Sequence, residues 1–235
     1  MKKKAGLSSM ALKWIAVISM FIDHLGVVLA GTLSYEVCRG MRIAGRLAFP
    51  IYCFLLVEGF YHSSDIKKYL LRLGVFALIS EIPFNLLLTG GISYPQYQNV
   101  FVTLFIGLLL LYLYNRFLAN VQPIYAIMTF VSMLCLAFVL KCDYGAEGVL
   151  IIFLFYFFRF RPVPMFISVG LVLVLMGGIE PFALAAFLPI AFYNEERGRY
   201  LPKGKTMQKR YQYFFYWFYP VHLIALSCFR YFVLR

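Results

Sequence analysis

Two ionisable residues, Asp23 and His24, stand side by side in the middle of the first long apolar run, from Trp14 to Leu33. An oily stretch of about twenty residues is long enough to cross a bilayer. An ionisable group at that depth is costly, so its presence points to function. Lys13 precedes His24 by eleven residues. That spacing is almost three whole turns of a helix, so the two side chains share one stripe, roughly 16 Å apart along the axis. The Lys13 ammonium, at the membrane boundary, suits a phosphate group. The neutral imidazole of His24, at mid-membrane, suits taking a proton from an attacking group. Together they would hold both ends of a long ligand, phosphates at the rim and a reactive group at depth. The bland reading is a snorkelling lysine and a hydrogen-bonded core histidine. Asp23 points about 100° round the helix from His24. It is expected to tune the catalytic site, to neutralise an arginine, or both.

Arg39, Arg42 and Arg46 follow at spacings of three and four and share a helix face if the second span starts early. Arginine recognises phosphate or carboxylate bidentately and stays charged when desolvated. The three are therefore candidates for holding an anionic cofactor, developing negative charge or an acceptor, with structural pairing as the alternative. Five further residues are taken as substrate-binding or site-shaping: Glu58, Glu81, Asn85, Glu147 and His222. Glu58 closes the second span beside Gly59. Glu81 and Asn85 flank Pro83, which should bend the third span and free a backbone carbonyl. Glu147 belongs to the run Asp143-Tyr144-Gly145-Ala146-Glu147-Gly148, and His222 follows Tyr219-Pro220-Val221. As a lone histidine in an apolar run, His222 reads more readily as packed than as catalytic. No serine elbow, Walker loop or metal-ligand spacing is visible, so neither a metal nor ATP-driven chemistry is expected.

The elements that must position these residues are membrane helices. The chain has 235 residues, of which 63% are hydrophobic, 19% aromatic and only 14% charged. Its mean hydropathy is +0.80. These values predict an all-α, polytopic membrane bundle forming a single domain over residues 1–235. Nine apolar segments are expected, at 13–33, 43–60, 69–88, 100–118, 124–140, 144–158, 164–177, 181–193 and 214–233. The sixth to eighth are shorter than a full crossing, which leaves a range of eight to ten spans. The stretch 194–212 reads as a polar inner loop. The net charge of +12 could suggest nucleic acid, but the basic residues lie mostly between apolar runs, where they set topology. With the N-terminus inside, sixteen of the 22 basic residues fall on inner segments, among them Lys2, Lys3, Lys4, Arg159, Arg197, Arg199 and Lys203. That predicts a multi-pass protein of the cytoplasmic (inner) membrane. The N-terminal run imitates a signal peptide, but Asp23-His24 interrupts it where such a peptide is most apolar, so it is kept as a span. The five cysteines read chiefly as small core residues, with a Cys38–Cys142 disulfide as the one pairing that outer loops would allow.

Several blocks resemble one family. They are Leu12 to Ala16, Met20 to Gly26, Gly45 to Phe60, Ser80 to Asn85, Asp143 to Gly148 and Phe215 to Leu223. In content and order these are similar to the TraX family, from about residue 10 to the C-terminus. The resemblance implies a membrane acetyltransferase of the kind that acetylates the N-terminus of conjugative pilin, with acetyl-coenzyme A as donor. TraX-type proteins in turn look like distant members of the acyltransferase-3 superfamily. There a basic residue, ten intervening residues and a histidine mark the first span, as Lys13 and His24 do. Its paired arginines resemble Arg39 and Arg42. The expected function is acetyl transfer to an amine, the N-terminus of a pilin-like protein among the candidates. Two rivals stay open: O-acylation of a cell-envelope glycan or lipid at the same site, and a proton-coupled transporter using Asp23, Glu81 and Glu147 as a relay.

Overall fold

Three of the described helices begin where a side-chain oxygen accepts from a free backbone N–H. In this computed structural model, which describes residues 5–196 and 205–233, the Ser8 hydroxyl accepts from the Ala11 N–H and starts α1, Ser9–Val28. Asp65 likewise accepts from Lys68 and opens α4, Ile66–Thr89. Asn99 accepts from Phe101 and opens α5, Val100–Ala119. The second apolar run is two helices, α2, Tyr35–Gly45, and α3, Ala48–His62, meeting at Arg46 and Leu47. Its helical structure therefore begins eight residues before the apolar segment does. Ser34 and Glu36 are good first-turn residues, and helix geometry does not require an apolar side chain. The helices α6, Pro123–Val139, α7, Gly145–Phe157, and α8, Pro162–Met176, follow. A 3-10 stretch, Glu180–Ala186, then leads into α9, Phe187–Ala191.

The last helix, α10, spans Lys205–Val233. It takes in eight residues expected to belong to the polar loop. Lysine, glutamine, methionine and arginine are good helix formers, so α10 continues past its apolar part. Lys2, Lys3, Lys4, Arg197, Arg199 and Lys203 lie outside the described residues.

The helices run alternately between two ends. At the near end, Leu7 exchanges backbone hydrogen bonds with Phe192 and Asn194, and Arg159 pairs with Glu58. At the far end, Gln98 bonds with Lys141 and Asp143, Arg46 with Glu180, and Arg230 with the Leu87 carbonyl. Among the described residues, four helical stretches, α1, α2 with α3, α4 and α5, are long and apolar enough to cross a membrane. Four shorter apolar helices join them, the last formed by the 3-10 stretch with α9. A 3-10 helix rises about 2.0 Å per residue against about 1.5 Å in an α-helix, so this short run reaches further than its residue count suggests. The outside is apolar: Leu78, Phe138 and Leu175 are exposed, as lipid-facing residues of a bundle are.

Contacts of α1 with α3, α3 with α5, α5 with α4, α4 with α10 and α10 with α1 close a ring of five helices. The remaining helices brace it from outside. Cys38 and Cys142 are buried and unlinked, so the pairing that outer loops would allow is absent.

Candidate active site

The five-helix ring encloses a cavity of about 520 Å³. Its near end is lined by Ser9, Lys13, Glu58 and His62, and its deep end by Met20, Phe101 and Tyr219. Ser9 to Met20 is about 16 Å along α1. Leu55, Leu56, Leu73 and Leu104 make the waist apolar. The lining stops one helical turn short of His24, and the wall between is Tyr219, whose ring centroid is 6.1 Å from that of His24. The Tyr219 side chain is buried, and its hydroxyl makes no hydrogen bond among the described residues.

His24 is not alone at depth. Its Nδ1 lies 2.7 Å from Nε2 of His222. The Nδ1 of His222 in turn lies 2.7 Å from the Phe218 carbonyl oxygen. A carbonyl only accepts, so that Nδ1 carries the proton and donates to it. In the neutral ring Nε2 of His222 is then a lone pair, and His24 must donate to it from Nδ1. The remaining nitrogen of His24, Nε2, is left as the unprotonated edge. Nothing among the described residues hydrogen-bonds to it. The 198-residue separation hides this pair from sequence reasoning. The signal that was present was a second histidine in an apolar run.

Asp23 faces away from His24, into α2. One carboxylate oxygen accepts from Arg42 and the other from Arg46, each at 2.6 Å. Arg46 also donates to Glu180 at 2.8 Å, to the Tyr144 hydroxyl at 3.2 Å and to the Arg42 carbonyl at 3.2 Å. Tyr144 is fixed by stacking on Phe49. The centre of the clamp is buried, Asp23 being 6% and Arg46 8% exposed, so these two charges hold each other outside water while Arg42 stays partly exposed. Arg39 is exposed at the start of the same helix. Glu180 and Tyr144 were not singled out as partners. The unexplained far-end arginines were the only hint that carboxylates had to meet them.

The other candidates fall in three places. Glu58 lines the cavity and holds Arg159 bidentately at 2.7 and 3.2 Å, with that guanidinium 4.3 Å over the Tyr61 ring. Glu81 accepts from Asn99 at 2.6 Å and so steadies the cap of α5. Asn85 donates to the Ile92 carbonyl. Glu147 is exposed near the start of α7. Neither Glu81, Asn85 nor Glu147 lines the cavity, and Asp23, Glu81 and Glu147 do not bond to one another. In the loop before α7, burial pushes the Asp143 carboxyl up to about 6, against the opposing hydrogen bond from the Tyr97 hydroxyl. Lys13 stands 5.4 Å from the Phe215 ring, at the cavity wall.

The cavity thus offers a mainly apolar passage, with Lys13, Arg72 and the carboxylates of Glu58 and Glu195 toward one end, the Tyr219 hydroxyl at the other, and a histidine pair just beyond. Such walls fit a long ligand with an anionic head and a narrow arm. A family model described as TraX protein matches residues 8–230. The chain is 32% identical to the probable fimbrial assembly protein FimC of Dichelobacter nodosus, in an alignment covering 97% of each. It is 30% identical over 105 residues to an uncharacterized protein of Rickettsia prowazekii, covering 45% of this chain and 37% of that one. No solved structure matches it significantly.

Proposed function

The chain belongs to the TraX family, and from that premise we propose that it is a membrane acetyltransferase. It takes its acetyl group from acetyl-coenzyme A and passes it to an amine, in the service of pilus or fimbrial assembly. The observation that carries this reading is the free Nε2 edge of His24, held by His222 beyond the deep end of the cavity. In this reading the near end faces the cytosol, as the positive-inside rule leads one to expect. A donor bound in the cavity supplies an activated thioester.

The residues then divide the work. Lys13 holds phosphate at the rim as a point charge. The leucine waist excludes water from the arm. His24 Nε2 takes a proton from the acceptor amine as its nitrogen bonds to the acetyl carbon. The carbon–sulfur bond breaks, and the same proton passes to the departing sulfur, so the base is restored. The His222 lone pair stabilises the extra charge on His24 through the Nδ1–H bond. Tyr219 lies where a hydroxyl can donate to the carbonyl oxygen as it gains negative charge. The Asp23–Arg42–Arg46 clamp sets the position of α1 against α2, and hence the height of His24. The fimbrial assembly relative makes a pilin-like acceptor the first to try. The link to the acyltransferase-3 superfamily is part of the proposal and rests on the Lys13–His24 spacing.

The test is acetyl transfer from labelled donor to a pilin-type N-terminal peptide in membranes that carry the protein. Wild type should transfer label, His24→Ala should not, and Lys13→Ala should mainly raise the donor KM. A folded His24→Ala variant working at the wild-type rate ends the proposal.

A further inference from the structure

Arg72 sits six residues into α4, about 9 Å from the start of the helix. It lines the cavity. Its guanidinium lies 5.5 Å over the Tyr69 ring and close to the Tyr216 side chain. Its Nε is buried and makes no hydrogen bond. No carboxylate pairs with it among the described residues: Asp65 is taken by Lys68, Glu58 by Arg159 and Glu81 by Asn99. An arginine cannot shed its proton in a protein, and an uncompensated charge at membrane depth is expensive. Arg72 as a whole is half-buried, whereas the buried Arg46 meets two carboxylates, which shows how this fold treats a guanidinium it must neutralise. An anion that pairs with Arg72 would come from outside the chain, through the cavity.

The position of Lys13 gives that anion a shape. Lys13 on α1 approaches Phe215, and Arg72 on α4 approaches Tyr216. The two cations thus come from the two helices that flank α10, at the same level of that helix. From there to His222 is about 10 Å along the helix. We propose that Arg72 and Lys13 form a phosphate-binding subsite inside the cavity, for a ligand whose phosphate or diphosphate carries a long, narrow arm toward the histidine pair. This deepens the acyl-transfer reading, with the coenzyme diphosphate as the first source. A phospholipid headgroup presents the same phosphate chemistry and is the second. Arg72 supplies the planar fork and Lys13 the point charge.

The experiment uses the full chain in nanodiscs of phosphatidylcholine, wild type against Arg72→Gln and Arg72→Lys. Coenzyme A and pantetheine are titrated by calorimetry, and co-purified phosphatidylglycerol is counted by native mass spectrometry. Losing a charge-assisted contact to phosphate should weaken coenzyme A binding about tenfold or more in Arg72→Gln, with Arg72→Lys in between. Pantetheine, which has no phosphate, should bind all three alike. If instead coenzyme A is unaffected and phosphatidylglycerol is lost from Arg72→Gln, the subsite stands and its phosphate belongs to lipid. The proposal is overturned if neither ligand changes, or if wild type binds neither. Should Arg72→Gln fail to fold, the Arg72→Lys titration decides alone. A wild type that binds coenzyme A through Arg72 yet transfers no acetyl group leaves the subsite standing and removes the acyl-transfer reading.

Discussion

At the scale of single residues, the neighbours Asp23 and His24 do different work because a helix turns them about 100° apart. Asp23 satisfies two arginines, and His24 meets His222. Removing one member of a buried ion cluster leaves the others charged and unpaired, which costs more than the cluster ever contributes. Asp23→Asn is therefore expected to lose about 3–5 kcal/mol, read as a lowered Tm in detergent. A Tm equal to that of wild type would mean the clamp carries no structural load. Tyr219 differs in kind, because its hydroxyl makes no hydrogen bond by geometry among the described residues. Tyr219→Phe should keep its Tm and its donor KM while kcat falls about 10²-fold, as when one donor to a developing oxyanion is deleted. An unchanged kcat would take the hydroxyl out of the reaction.

Elements set the distances between these residues. The α1–α2 contact is close because both helices carry glycine where they touch. A methyl group on Gly45 would overlap Asp23 Cβ, and one on Gly26 would stand 2.9 Å from Met41 Cβ. Small residues let helix backbones approach within lipid. Gly45→Ala should push α2 away from α1, strain the clamp and cost about 1–3 kcal/mol, the usual cost of overpacking. Gly40 on the same helix has open space beside it, so Gly40→Ala should leave the Tm unchanged or raise it. Equal Tm values for the two variants would refute this account of the contact. The division of the second apolar run at Arg46 and Leu47 matters for the same reason. It lets Arg46 turn toward Asp23, Tyr144 and Glu180 at once.

At the scale of the whole molecule, five helices leave a hollow where a bundle would ordinarily pack solid. The hollow is apolar at Leu55, Leu56 and Leu104 and carries its polar side chains toward its two ends. Filling it should separate binding from stability. Leu104→Trp is expected to abolish donor binding and acetyl transfer with no loss of Tm, because added side chain enters space that is already empty. Retained donor binding would place the thioester elsewhere. The cation-bearing near end and the clamped far end also give the bundle two unlike faces, which suits a reaction that takes its donor from one side of a membrane.

Hydrophobicity and helical period are local properties, and the sequence by itself determined what depends on them. From residue order alone came the all-helical membrane class and the runs near 69–88 and 100–118, which α4 and α5 match within a few residues. The shared stripe of Lys13 and His24 came from the same source. The helical stretches that extend past the oil, from Tyr35 and through residues 205–212, were not legible in that way, because first-turn preference and helix propensity carry them. Partnership was decided only in three dimensions. His24 meets a residue 198 positions away, Arg46 one 134 away, and Arg159 one 101 away. Which charges neutralise each other, and that Arg72 faces the cavity with no carboxylate paired to it among the described residues, depends on how the helices pack against one another. No local pattern encodes that packing, because each pair is brought together by the contacts of every helix between them.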